Sequence, residues 1–123
     1  MFVKQWMTEN PVTVTSRMPV VEAMQQLRQG GFRRLPVVDE GKLVGIVTDR
    51  DLKEATPSKA SSLSVYELNY LLSKLTVREV MNSPVLSVKP TDPIEKAALI
   101  MEENKVSGLP VVEDGAVVGI ITI

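Results

Sequence analysis

Residues 35–48 read LPVVDEGKLVGIVT, and residues 109–122 read LPVVEDGAVVGIIT. At this offset of 74, nine of the fourteen positions are identical: Leu35/Leu109, Pro36/Pro110, Val37/Val111, Val38/Val112, Gly41/Gly115, Val44/Val118, Gly45/Gly119, Ile46/Ile120 and Thr48/Thr122. Unrelated segments would share roughly one, so the chain carries an internal repeat. Leu35–Val38 and Leu43–Thr48 are rich in β-branched residues and read as strands joined by Asp39-Glu40-Gly41-Lys42. Glu113-Asp114-Gly115-Ala116 is the matching loop. Glycine late in such a loop supplies the positive φ of a hairpin turn. The apolar residues run almost without interruption, which predicts strands buried on both faces.

The same order of signals precedes each hairpin. A lead, Val3-Lys4-Gln5-Trp6-Met7, matches Val77-Arg78-Glu79-Val80-Met81. An extended stretch follows, Pro11-Val12-Thr13-Val14 against Pro84-Val85-Leu86-Ser87-Val88. Val20, Ala23, Met24 and Leu27 then fall at the spacing of a helix burying one face, and Ile94, Ala97, Ala98 and Met101 repeat it. Pro19 and Pro93 suit a first helical turn, and Asp92 with Glu95 resembles a capping box. A further helix is expected from about Asp51. Each copy therefore reads β-α-β-β-α, and the fold class is mixed α/β (α+β), with two repeats packed about a pseudo-two-fold axis. At under about 55 residues a single copy is marginal alone, so the two are expected to share one core. The expected divisions are residues 1–52, a connector at 53–75, and residues 76–123. In the connector, 56–62 reads as loop, and Ser64-Val65-Tyr66-Glu67 opens a helix with Leu68, Leu71, Leu72 and Leu75 on one face. That helix reads either as a packed connector or as a partner-binding surface.

Composition narrows the function. The 123 residues are 44% hydrophobic and 24% charged with net charge −1, which gives no electrostatic footprint for nucleic acid or an acidic membrane. No apolar run approaches the ~18 residues of a membrane span, and the first residues carry no signal-peptide pattern, so a cytoplasmic protein is expected. With no cysteine and no histidine, disulfides, thiolate metal sites and the commonest general base are excluded. No catalytic residue and no metal ligand is assigned, and no cofactor is expected to be required.

The pattern P-V-x-V, a helix, then L-P-V-V, two acidic residues, G-x-h-V-G-I-h-T and x-x-D resembles the cystathionine-β-synthase (CBS) domain, here as a tandem pair. The residues that carry it are Leu35–Leu52, ending Thr48-Asp49-Arg50-Asp51-Leu52, and Leu109–Thr122. The connector is similar to that of acetoin-utilisation-type regulatory proteins. The resemblance implies regulation rather than catalysis, with an adenine nucleotide or related adenosyl ligand in clefts between the copies. It implies that Asp51 offers its two oxygens to ribose hydroxyls and Thr48 its hydroxyl to a phosphate. Arg33 and Arg34 occupy positions where related pairs place basic side chains near phosphates, and Arg50 joins this set. The opposite copy would line the same cleft with Val85, Leu86, Val106, Ser107 and Gly108. Val12, Phe32 and Thr122 complete the candidate ligand-binding set.

Plainer roles stand beside these. Thr48 and Asp51 also suit the start of the helix that follows, Arg33 and Arg34 suit solvated surface, Gly45 and Gly119 suit packing, and Trp6 suits a packed anchor for its lead. The counterpart of Asp51 would be position 125, beyond Ile123, so the expectation is a fragment of a longer chain with Asp51 marking the competent site. The helix 93–104 carries Leu99 and Ile100 where the first copy has Gln25 and Gln26, so a homodimer using that helix is expected. A dimerisation module with empty clefts is the alternative function.

Overall fold

The computed structural model describes residues 1–55, 64–83 and 85–122. The loop expected at 56–62, and Pro84, lie outside the described residues. The strands are β1 (Thr8–Glu9), β2 (Arg34–Asp39), β3 (Lys42–Thr48), β4 (Gly108–Glu113) and β5 (Ala116–Thr122). The helices are α1 (Val20–Gly30), α2 (Asp49–Ala55), α3 (Val65–Lys74), α4 (Val77–Val80) and α5 (Ile94–Asn104). A short 3-10 turn at Val3–Gln5 occupies the place in the first lead that α4 occupies in the second.

The two hairpins have the same register and the same irregularity. Leu35 faces Val47 and Leu109 faces Ile121, with a shift after Val37 and after Val111. Both turns place two residues at positive φ, Glu40 with Gly41 and Asp114 with Gly115, as a two-residue turn matching the twist of its strands requires. β2 is buried at Leu35, Pro36 and Val37 and β4 from Gly108 to Val111, in line with the continuous apolar run, because each lies between two partners. On one side is the hairpin mate, and on the other Val14 or Val88 pairs in parallel with Val37 or Val111. β3 and β5 instead alternate between buried and partly covered positions.

Both helical stripes face inward. Val20, Ala23 and Leu27 are buried in α1, and Ala97 and Met101 in α5, whereas Ala98 is exposed. Pro19 and Pro93 are the N-caps in extended conformation, one residue before the first turn where they were expected. Asp92 consequently forms no capping box with Glu95. Its Oδ2 accepts from the Lys89 N–H at 2.8 Å, and this bond above all holds the carboxyl below the usual carboxylate range. The cap expected at Ser64 is present, with its Oγ accepting from the Glu67 N–H at 3.2 Å. Beyond it α3 packs on α1; Leu68 and Leu72 are half-buried, while Leu71 is exposed and Tyr66 is 87% exposed.

The single shared core expected from the size of the repeats is replaced by two. One is built on the first hairpin and includes Val77, and the other is built on the second hairpin and includes Val3. Each lead thus crosses to the opposite repeat. Met7 packs on the second core, and Val80 and Met81 on the first. Val3 and Val77, both fully buried, are the anchors; Trp6, expected in that role, is 57% exposed. The crossing continues as β1 pairing with β5 through Thr8 and Ile120, matched by Asn82 bridging Ile46 of β3.

The repeated glycines of β3 and β5 admit the crossing leads. A Cβ on Gly119 would sit 2.9 Å from the Thr8 carbonyl oxygen, and one on Gly45 would sit 3.2 Å from that of Asn82. Met7 and Met81 would be closer still. These are packing glycines. Truncating either anchor should therefore cost core stability even though each lies outside the hairpin it completes. Val3→Ala and Val77→Ala are each expected to lower unfolding free energy by about 2 kcal/mol in urea titrations, against the ±0.5 kcal/mol of a surface change.

Candidate functional site

Crossing of the leads opens a cleft on each side of the pseudo-two-fold axis. After Asn82 docks on β3 the chain must return to its own repeat, where Val88 pairs with Val111. Val85 and Leu86 span that interval, and they wall a cleft of ≈ 550 Å³ against Ile46 and Thr48 of β3. Lys105, Val106, Ser107 and Gly108, at the approach to β4, close it from the other repeat. Arg33, Arg34, Asp49 and Arg50 line its polar side with Asn82. An apolar wall facing a few convergent polar groups suits a small molecule with a flat apolar part and an anionic part.

The polar groups at the β3–α2 junction are tied together. The Asp51 N–H donates to Thr48 Oγ1 at 3.1 Å, and the Thr48 N–H donates to Asp51 Oδ2 at 2.9 Å, a reciprocal cap on α2. Asn82 Nδ2 donates to the same Oδ2 at 2.9 Å, so the crossing lead is latched to the helix start. Both bonds fall on Oδ2, which leaves Oδ1 as an acceptor. Thr48 and Asn82 line the cleft, and Asp51 is hydrogen-bonded to both. Across the cleft, Arg34 Nη2 donates to Ser107 Oγ at 2.5 Å, joining the repeats. Partial burial, and then the adjacent Arg33 charge, lower the Arg34 pKa from the ordinary guanidinium value. Lys105 is in the left-handed conformation at φ 55, the C-cap of α5, where the first copy has Gly31 at φ 66. A lysine there carries about 1 kcal/mol of backbone strain that glycine avoids, and it sets a cation on the cleft wall.

A second cleft of ≈ 490 Å³ is the symmetry counterpart. Thr122, Ile120, Thr8, Pro11, Val12, Gly31 and Phe32 line it where Thr48, Ile46, Asn82, Val85, Leu86, Lys105 and Val106 line the first. Arg33, Arg34 and Ser107 line both.

The CBS domain family matches this chain at residues 3–58 and 77–123, the two arms of the repeat. The chain belongs to the CBS domain family. Among solved structures, the CBS domain pair of protein MJ0100 in complex with 5′-methylthioadenosine and S-adenosyl-L-methionine superposes with a TM-score of 0.81 at 33% identity. That comparison covers 99% of this chain and 89% of the other. A putative acetoin utilization protein, AcuB, from Vibrio cholerae gives 0.81 at 32% identity, over 99% and 84% of the two chains. The likeness to acetoin-utilisation-type proteins thus extends to the fold. L-aspartate semialdehyde sulfurtransferase of Methanocaldococcus jannaschii is 34% identical over 122 residues. This chain spans 98% of its own length there but 21% of the enzyme's.

Within this CBS pair, the first cleft gathers Thr48, Arg50, Arg33, Arg34, Val85, Leu86, Val106, Ser107 and Gly108 from the expected set. The second gathers Val12, Phe32 and Thr122. Asp51 alone is off both walls. Sequence reading missed Ile46, Asn82 and Lys105. No sequence signal set Asn82 or Lys105 apart, because only the folded arrangement brings them into a cleft with residues of the other repeat.

Proposed function

We infer that this CBS pair is a regulatory module that senses an adenosine-containing ligand, AMP, ADP, ATP or a relative, and performs no chemistry of its own. The observation that carries the reading is the Thr48 cleft itself. Its apolar wall of Val85, Leu86 and Val106 faces Arg33, Arg34, Arg50 and Lys105, a base-sized slot opposite phosphate-binding cations. Support also comes from similar structures whose partners are adenosyl compounds: the MJ0100 pair described above, and CBSX2 in complex with AMP, at a TM-score of 0.79 and 34% identity. On this reading Thr48 donates its hydroxyl to a phosphate, and Asp51 receives a ribose hydroxyl on Oδ1 while Oδ2 keeps the cap. The repeats are the sequence arms 1–52 and 76–123, joined by the connector 53–75.

The protein further acts as a homodimer built on α5. Leu99 is 54% exposed on that helix, Ala98 is exposed beside it, and exposed Met1 and Phe2 adjoin its start, where the Ile94 N–H donates to the Met1 carbonyl. Such a surface is normally covered. No helix among the described residues is long and apolar enough to cross a membrane, and a cytoplasmic location accords with this reading.

A thermal-shift panel of adenosine, AMP, ADP, ATP and S-adenosylmethionine tests the reading. A ligand at 100-fold its Kd should add about 2.7 kcal/mol to stability. With the best ligand, Asp51→Ala is expected to lower the calorimetric affinity about ten-fold. Equal affinity would return Asp51 to the cap alone, and no shift with any compound would leave a dimerisation module with empty clefts. Light scattering is expected to give twice the chain mass, and Leu99→Glu to halve it; a monomer at high concentration would remove the dimer.

A further inference from the structure

The clefts are symmetric in backbone but not in charge, and the asymmetry meets at the axis. Arg33 and Arg34 correspond to Ser107 and Gly108, so the first copy brings two cations to the axis and the second brings none. A Cβ on Gly108 would lie 2.7 Å from Arg34 Cζ, so the guanidinium occupies space that any side chain there would claim. Arg34 thereby lies across the axis, holds Ser107 Oγ, and borders both clefts. Among the described residues, the Thr48 cleft has Lys105 where the Thr122 cleft has Gly31, one further cation beside the Arg33 and Arg34 that line both.

We propose that Arg33 and Arg34 form one anion-binding pair shared by both clefts, so that a phosphorylated ligand in the Thr48 cleft weakens binding of a second in the Thr122 cleft. This rests on reading the clefts as adenosine-ligand sites. A guanidinium fork satisfies one phosphate bidentately, and its geometry cannot serve two phosphates on opposite sides of the axis equally. The Thr48 cleft, with Lys105 where its counterpart has glycine, draws the pair first. An uncharged ligand makes no such claim, so adenosine should fill both clefts independently. The module would then distinguish phosphorylated from unphosphorylated adenosine by stoichiometry as well as by affinity.

Calorimetry with ADP and with adenosine on the whole protein tests this. Leu86 lines the Thr48 cleft only and is exposed, so Leu86→Trp obstructs that cleft without disturbing a core. In Leu86→Trp the Thr122 cleft is expected to bind ADP about ten-fold tighter than the second ADP binds wild type, or to bind where wild type shows one site. Adenosine affinity for that cleft should not change. In Arg34→Gln, adding Leu86→Trp should leave ADP affinity at the Thr122 cleft unchanged. Two ADP sites in wild type, with the weaker unaltered by Leu86→Trp, would overturn the shared pair and leave the adenosine-site reading intact. A Thr122 cleft in Leu86→Trp that binds adenosine but not ADP would likewise overturn it. Absence of binding by either compound would overturn both.

Discussion

Reciprocal crossing of the two lead segments is the constraint on which the structure depends. Neither hairpin–helix unit closes its own core. Val77 completes the first and Val3 the second, and both side chains are withdrawn fully from solvent. Burying a valine is worth roughly 1.5–3 kcal/mol, a large fraction of what so small a repeat can gather. The crossing is possible because Gly45 and Gly119 present no side chain to the leads that lie over them. A glycine inside a strand ordinarily weakens it; here its absent Cβ is the docking surface.

The clefts follow from the same crossing. A chain that docks on one hairpin and pairs with the other must bridge the gap in a few extended residues, and Val85-Leu86 and Pro11-Val12 do so. Their side chains become cleft walls, and their counterparts across the axis complete the enclosure. Duplication thus supplies two sites at once, and substitution at a handful of positions separates them. Lys105 against Gly31, Arg33 against Ser107 and Arg34 against Gly108 are the changes that set their charge.

Much of this was legible in the sequence. The offset of 74, the hairpin turns and the inward helical stripes follow from matching one copy to the other, and most of the cleft set from the resemblance to the CBS domain. What was not legible has a common cause. Matching the leads pairs Val3 with Val77 but does not say that they are buried or which hairpin covers them, and repeat size alone pointed to a single shared core where two exchanged ones occur. Trp6 stood out by size, yet its counterpart Val80 packs on a core while Trp6 remains largely exposed. Pro19 and Pro93 carried the right helix starts at one residue's displacement, because a proline serves an N-cap as readily as a first turn. Asn82 and Lys105 gain meaning only after the crossing places them against the other repeat.

The central claim is that the ligand lies between the repeats, against the walls the crossing creates. Amide chemical-shift mapping of the labelled protein titrated with ADP tests it most directly. Perturbations should concentrate at Arg34, Thr48, Leu86, Val106 and Ser107, with the hairpin tips at Gly41 and Gly115 unmoved. Perturbations confined to the tips or to the exposed face of α3, with the cleft amides unchanged, would contradict it.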